Sequence, residues 1–181
     1  MKNVRITAGN YKGKVLATPG EGTHPMGERE RLALFNMVGN DLTGANVLDA
    51  YAGSGILGAE ALSRWAPLVV FIEKSPKATR VIRQNLEKME LFGYPDPPMT
   101  EVICGDVKDY RSDLRFRLIM ADPPYDDFDL TGVEHLVKFL APEGILVLSH
   151  PGEAPDLLGV DLVKTRRYAR AHLSVYSKPA L

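Results

Sequence analysis

From residue 46 onward, short apolar runs alternate with stretches of helical periodicity. The runs have the length of strands and are rich in Val, Leu and Ile, which is typical of strands that are buried on both faces. They predict strands at 47–49, 68–73, 101–104, 116–121 and 145–149, with helices at 56–65, 76–92 and 131–140. Because strands joined by helical crossovers pair in parallel, we expect an α/β fold with a mostly parallel sheet and helices on both faces.

The pattern changes near the C-terminus. The last two apolar runs, 160–168 and 172–176, have no helix-length segment between them. A connection this short joins antiparallel strands. We therefore expect this pair to close the sheet in antiparallel orientation.

The N-terminal pattern predicts an extension in front of this core. Residues 4–16 alternate apolar and polar positions around a Gly9-Asn10 turn, which indicates a β-hairpin. The next pattern predicts a helix over 28–38 with an apolar face of Leu32, Leu34, Phe35 and Val38. We expect a single domain over residues 1–181, in which residues 1–40 are the hairpin and helix extension and residues 41–181 are the core.

The turn after the first core strand is rich in glycine. Gly53, Gly55 and Gly58 have the spacing of a dinucleotide-binding fingerprint. However, Asp49 ends the strand, and a carboxylate there suits a ligand with an amino or sulfonium group and repels a pyrophosphate. The alternative is a glycine-rich turn that binds no ligand.

Acids stand at the ends of four consecutive predicted strands, namely Asp49, Glu73, Asp106 and Asp122. The carboxyl ends of parallel strands share one edge of the sheet, and ligands bind there. At that edge Glu73 can accept hydrogen bonds from ribose hydroxyls, and Asp106 can accept one from an adenine amine. Each acid taken singly could equally cap a helix.

The most specific motif is Asp122-Pro123-Pro124-Tyr125. The two prolines end the strand and offer no N–H, so we expect their carbonyls to be acceptors without local donors. Two acceptors that hold the hydrogens of a base amine orient its lone pair and stabilise the positive charge that develops during attack. Tyr125 can stack on the base.

Composition excludes several classes of protein. The chain has 181 residues, a net charge of −1 and one cysteine, Cys104. One cysteine excludes an internal disulfide, and no apolar run approaches the roughly 18 residues of a membrane span, so we expect a cytoplasmic protein without membrane association. The histidines and the cysteine have no zinc spacing, so we expect no metal.

The charges are unevenly distributed. Residues 1–20 carry four basic residues and no acid, and residues 162–181 carry five basic residues and no acid. Both ends are therefore basic and the middle is acidic. Such asymmetry is found at nucleic-acid contacts, but solvated charge on surface strands explains it equally well.

Together these motifs resemble the class I S-adenosylmethionine-dependent methyltransferases that methylate amino groups, which have a Rossmann-like fold. The resemblance rests on the series Asp49-x-Tyr51-x-Gly53-x-Gly55, Glu73, Asp106 and Asp122-Pro123-Pro124-Tyr125. The N-terminal segments narrow it to the RsmD-type bacterial enzymes, which methylate guanine N2 in small-subunit ribosomal RNA. Those segments are Arg5-Ile6-x-x-Gly9-x-Tyr11-Lys12-Gly13-Lys14 and His24-Pro25-x-x-x-Arg29-x-Arg31.

The resemblance implies S-adenosylmethionine as the cofactor, ribosomal RNA or a partly assembled small subunit as the partner, and a monomer. The implied cofactor-binding residues are Asp49, Ala50, Tyr51, Gly53, Ser54, Gly55, Glu73, Lys74, Asp106, Val107 and Asp122. The implied catalytic residues are Asp122, Pro123, Pro124 and Tyr125. The implied RNA-binding residues are Arg5, Lys12, Lys14, Arg29 and Arg31.

The chain departs from the usual family pattern at His24, Met26, Leu32 and Ser149-His150. Three alternatives remain. The same motif serves adenine-N6 methyltransferases of DNA or RNA. A catalytically inactive RNA-binding assembly module would retain the fold. A nicotinamide dehydrogenase would use the glycine turn but would leave the DPPY motif without a role.

Overall fold

Nine strands and four helices make up the computed structural model within the residues it describes, which are 3–20, 25–91, 97–168 and 171–180. The strands are β1 (Asn3–Arg5), β2 (Val15–Ala17), β3 (Asn46–Ala50), β4 (Leu68–Glu73), β5 (Met99–Cys104), β6 (Phe116–Ala121), β7 (Leu140–His150), β8 (Asp161–Arg167) and β9 (His172–Ser177). The helices are α1 (Glu28–Val38), α2 (Ile56–Ser63), α3 (Pro76–Met89) and α4 (Leu130–Val137). Over the described ranges, no helix is both long and apolar enough to cross a membrane.

Seven of the strands form one sheet in the order β5-β4-β3-β6-β7-β9-β8. The first five are parallel, whereas β9 runs antiparallel to both β7 and β8. The remaining strands, β1 and β2, form a separate antiparallel hairpin. The predicted fold class is therefore confirmed. The strand order reverses at β3, and open α/β sheets bind ligands at such a switch point.

The ends of several elements differ from the prediction, among them the end of α3 and the start of β7. Helix α3 ends at Met89, because Glu90 takes a left-handed conformation with φ of 47°. The predicted end at Phe92 and residues 94–96 of the loop predicted at 94–99 lie outside the described residues. Strand β7 begins at Leu140, where the apolar pattern had indicated the end of the preceding helix.

Helix α1 buries a different face from the predicted one. Leu34 and Phe35 are buried as expected, but Leu32 is 36% exposed and Arg31 is only 3% exposed. Arg31 precedes Leu34 by three residues and Phe35 by four, so the three side chains share one side of the helix. The departure from the family pattern at Leu32 therefore lies on the surface.

Glu60 of α2 is fully buried and joins the N-terminal extension to the core. Its carboxylate accepts hydrogen bonds from the backbone N–H and the hydroxyl of Thr7 at 2.9 and 2.8 Å. It also forms ion pairs with Nε of Arg31 at 3.3 Å and Nη1 of Arg64 at 2.5 Å. One buried anion therefore serves two buried cations and the backbone of the extension.

The remaining Arg31 nitrogens are also engaged. Nη1 donates to the carbonyl of Met26 at 2.6 Å, and Nη2 donates to the carbonyl of Arg5 at 2.8 Å. A guanidinium that is buried and bonded in this way is not available to an RNA phosphate. The inclusion of Arg31 among the RNA-binding residues is therefore wrong, and its role is to hold the extension in place.

We expect Glu60→Gln to lower the free energy of unfolding by about 3–5 kcal/mol, because it leaves two arginines buried without their anion. Urea denaturation measures this loss. The control is Glu87→Gln on the exposed side of α3, which should change stability by less than about 0.5 kcal/mol. A similar small change for both variants would contradict the structural role of the Glu60 cluster.

Candidate active site

A cavity of about 860 Å³ opens at the carboxyl ends of the parallel strands. The segments that follow β3, β4, β5 and β6 line it, together with the end of β7 and the start of α1. Its volume lies in the usual range for small-molecule sites. The cavity thus occupies the position that the strand order predicts for a ligand.

Asp49 fixes the entry of the chain into α2. Its carboxylate is buried and accepts the N–H of Gly58 at 2.8 Å, in the first turn of that helix. Burial raises the pKa of Asp49 well above its usual range, the Gly58 N–H opposes this rise, and the charges of Asp122 and Glu73 add to it. Asp49 is therefore both a helix cap and a cavity wall.

Glu73 ties the end of β4 to the glycine turn. Its Oε2 accepts the N–H of Gly53 at 2.8 Å, and its Oε1 accepts the N–H of Ser75 at 2.7 Å. Each carboxylate oxygen has a second lone pair. Glu73 therefore has acceptor capacity left for hydroxyl groups in the cavity.

The glycines of the turn serve different purposes. Gly53 and Gly55 have φ of 57° and 76°, a region that side chains disfavour. A Cβ on Gly58 would lie 2.1 Å from the ring of Phe71 on β4. Gly58 therefore permits α2 to pack closely on the sheet.

Ser54, between those glycines, lines the cavity with a buried hydroxyl. Within the described part of the chain, this hydroxyl has no hydrogen-bond partner. Buried polar groups are almost always paired. An unpaired hydroxyl at a cavity wall fits a polar ligand that completes the pairing.

A charged pair lines the cavity between the segment after β5 and the start of α4. Lys108 forms a salt bridge with Asp129, which also caps α4 by accepting the N–H of Thr131. The hydrogen bond with Lys108 lowers the pKa of Asp129 to about 2. Asp106 accepts the N–H of Lys108 at 2.9 Å and remains exposed to the cavity. The sequence prediction did not include Lys108 or Asp129.

Asp122 and Tyr125 follow β6 and line another part of the cavity, together with Ser149 of β7. The Oγ of Ser149 lies 2.5 Å from the Tyr125 hydroxyl, and either oxygen can donate this hydrogen bond. Burial raises the pKa of Asp122 to about 6, and hydrogen bonding by the Ser149 hydroxyl opposes this rise.

The proline carbonyls do not both lack local donors. The carbonyl of Pro124 accepts the N–H of Asp127 at 3.3 Å, so the prediction is wrong for this residue. The short 3-10 turn over Tyr125–Asp127 brings that N–H back to it. Pro123 is buried and lines the cavity, which makes its carbonyl the candidate second acceptor.

Most of the predicted cofactor and catalytic residues line this one cavity. They are Asp49, Tyr51, Gly53, Ser54, Glu73, Lys74, Asp106, Val107, Asp122, Pro123, Pro124 and Tyr125. Ala50 and Gly55 lie in the adjoining backbone but do not line it. The basic residues Arg5, Lys12, Lys14 and Arg29 lie outside the cavity, and among them Arg5, Lys12 and Arg29 are exposed. The predicted roles of all these residues remain predictions.

The cavity wall is strongly acidic. Its described carboxylates are Glu30, Asp49, Glu73, Asp106, Asp122, Asp126, Asp127 and Asp129, against the two lysines Lys74 and Lys108. Such a field favours a cationic ligand and disfavours a pyrophosphate. The contribution of Glu30 from α1 was missed in the sequence because its position at the cavity depends on how the extension docks.

We expect Ser149→Ala to raise the pKa of Asp122 above its value of about 6, because the charged form of Asp122 loses a hydrogen bond. The ¹³C shift of the carboxyl carbon, followed against pH, measures the midpoint. Ser174→Ala removes another buried serine, one that bonds His150 and Thr165 instead, and should leave the midpoint unchanged. An unchanged or lower midpoint in Ser149→Ala would show that Ser149 does not lower the pKa of Asp122.

Comparison with known proteins places this geometry in a family. The family model described as Conserved hypothetical protein 95 matches residues 4–177. The Bacillus subtilis protein named "Putative rRNA methyltransferase YlbH" is 32% identical over 183 residues, covering 97% of this chain and 99% of that protein. The Haemophilus influenzae "Ribosomal RNA small subunit methyltransferase D" is 32% identical over 123 residues, covering 67% of this chain and 64% of that protein.

A solved structure agrees in fold. The structure of yhhF from Escherichia coli has a TM-score of 0.84 and 23% identity, and the match covers 99% of this chain and 100% of that one. The family model spans the hairpin, the glycine turn, the DPPY motif and the final strand pair. The chain therefore belongs to the RsmD-type methyltransferase family.

Proposed function

We propose that this protein transfers a methyl group from S-adenosylmethionine to the exocyclic N2 amine of a guanine in small-subunit ribosomal RNA. The observation that carries the proposal is that the glycine turn and the DPPY motif line one acidic cavity. The names of the relatives YlbH and methyltransferase D support ribosomal RNA as the substrate class.

The residues around the glycine turn fit S-adenosylmethionine. The free lone pairs of Glu73 suit ribose hydroxyls, and Asp106 suits the adenine amine. The unpaired Ser54 hydroxyl and the buried Asp49 suit the polar amino-acid end. The cofactor supplies an electrophilic methyl group on a positively charged sulfur, and the acidic wall stabilises that charge.

Asp122 and the Pro123 carbonyl act as the two acceptors for the base amine. With a pKa of about 6, Asp122 is mostly ionised at neutral pH and accepts a hydrogen bond. Its negative charge stabilises the amine as the amine becomes positive during attack. Tyr125, held by Ser149, offers a ring on which the base, drawn from its stack, can rest.

The acidic wall of the cavity around Asp122 favours guanine over adenine as the bound base. Guanine carries a ring N1–H donor beside its N2 amine, whereas adenine carries a ring N1 acceptor beside its N6 amine. Glu30 also lines the cavity. Burial is the largest cause of the raised pKa of Tyr125, and the charge of Glu30 is close enough to add to it. Carboxylates beside Asp122 complement a second donor and repel an acceptor lone pair.

Basic residues of the extension carry the proposed RNA contact. Lys12 and Arg29 are exposed, Arg5 is exposed and donates to the carbonyl of Gly13, and Lys14 lies over the ring of Tyr11. Arg31 is excluded because it is buried. Phosphate contacts of this kind position the RNA without reading its sequence.

We expect Glu73→Ala to weaken S-adenosylmethionine binding by about 1.5–3 kcal/mol, the usual value of a charged hydrogen bond. Isothermal titration calorimetry measures it, and NADH serves as the ligand that should not bind. Glu101→Ala, an exposed acid on β5 outside the cavity, is the matched control. Wild-type affinity in a folded Glu73→Ala variant would rule out this cofactor contact.

We expect Asp122→Ala to lower single-turnover methyl transfer by roughly 10²–10³-fold, because one preorganised acceptor is lost. Asp122→Asn keeps a carbonyl acceptor at the same reach and should retain measurably more activity than Ala. The assay uses 16S ribosomal RNA, free and in small subunits, with tritiated S-adenosylmethionine. Binding of S-adenosylmethionine should change little in either variant.

The products of this assay decide between the candidate functions. Digestion of the RNA should yield N2-methylguanosine. Label in N6-methyladenosine would replace guanine with adenine as the target. Bound cofactor and RNA without any transfer would indicate an inactive assembly module, and wild-type turnover of Asp122→Ala would remove the DPPY motif from the mechanism.

A further inference from the structure

We propose that Arg166 on the edge strand β8 binds a phosphate of the RNA strand that flanks the methylated guanine. The proposal rests on the proposed function and adds a second RNA contact, separate from the N-terminal hairpin. It follows from strand register, from the exposure of this side chain and from the charge of the cavity.

The strand register places Arg166 near the part of the cavity wall that Ser149 forms with Asp122 and Tyr125. Arg166 pairs with Leu173 on β9, and Leu173 pairs with Ser149 on β7. Both Leu173 and Ser149 line the cavity. Neighbouring strands lie roughly 4.8 Å apart, so Arg166 is about 10 Å from Ser149 along the sheet. Because directly paired residues lie on the same face of a sheet, the Arg166 side chain lies on the cavity side, whereas that of the next residue, Arg167, lies on the opposite face.

Arg166 is available to a ligand. It is exposed, and it takes part in no ion pair among the residues the structure describes. Lys164, two residues earlier on the same face, behaves differently, because its Nζ donates to the carbonyl of Met37 at the end of α1. The structure thus uses Lys164 internally and leaves Arg166 facing solvent. No acid occurs anywhere in residues 162–181 to compensate it.

An acidic cavity requires cationic side chains around its mouth if a nucleotide is to bind there. Its carboxylates, among them Asp122 and Glu30, repel the phosphates of any nucleotide whose base enters. Cations at the mouth must therefore hold the backbone outside while the base goes in. Arg29, exposed in the first turn of α1, flanks the same mouth because Gly27 and Glu30 of that segment line it. Planar guanidinium groups suit phosphates through paired hydrogen bonds.

The test measures how binding of 16S ribosomal RNA to the full chain depends on salt, using the RNA form that the wild type methylates. Each phosphate contact to a single strand contributes about 0.7 to the slope of log K against log salt. We expect Arg166→Ala to lower the slope by about 0.7. Arg166→Lys keeps the charge and should retain most of the slope.

The matched control is Arg115→Ala/Arg117→Ala, which removes two exposed arginines at the opposite end of the sheet, where β6 begins. It should leave the slope unchanged, and S-adenosylmethionine affinity should stay at the wild-type value in every variant. An unchanged slope in Arg166→Ala, or an equal loss in the control, overturns the proposal while the proposed function stands. A wild type that methylates no RNA overturns both.

Discussion

Two carboxylates hold the glycine turn, and the arrangement of the cavity depends on them. Asp49 at the end of β3 accepts the N–H of Gly58, and Glu73 at the end of β4 accepts the N–H of Gly53. Both ends of the turn are thereby fixed by adjacent parallel strands. The arrangement costs stability, because burial and the charges of Glu73 and Asp122 disfavour an ionised Asp49. A cationic ligand would offset that cost.

The sequence predicts the scaffold well because the scaffold follows from periodicity. Buried runs such as 68–73 cannot be surface strands, and the missing helix between the last two runs leaves only an antiparallel pair. The shared edge of a parallel sheet then brings Asp49, Glu73 and Asp122 together without further information. Positions that depend only on strand order are therefore predictable from the chain.

Arg31 shows where charge patterning fails. Arg29 and Arg31 were both predicted to bind RNA, yet residues two apart on a helix lie on opposite sides. The spacing of Arg31 from Leu34 and Phe35 indicates that it lies on the buried side of the helix, whereas its charge alone suggested an exposed side chain. Its partner Glu60 lies 29 residues away in α2, a pairing that no local pattern reveals. Ser149 and Glu30 are similar cases, because their positions at the cavity depend on how distant elements pack.

The net charge of −1 does not describe how charge is distributed over the surface, and this distribution is what matters for RNA binding. Charges separated by more than the Debye length, about 8 Å at physiological salt, act almost independently at the surface. An acidic cavity and a basic rim can therefore coexist on a nearly neutral chain. The acids favour a cationic cofactor and a donor-rich base edge, while cations such as Arg29 stay outside on exposed elements. In the proposed RNA complex, the local sign of the charge, rather than the total charge, would decide which part of a nucleotide enters the cavity and which part remains at the surface.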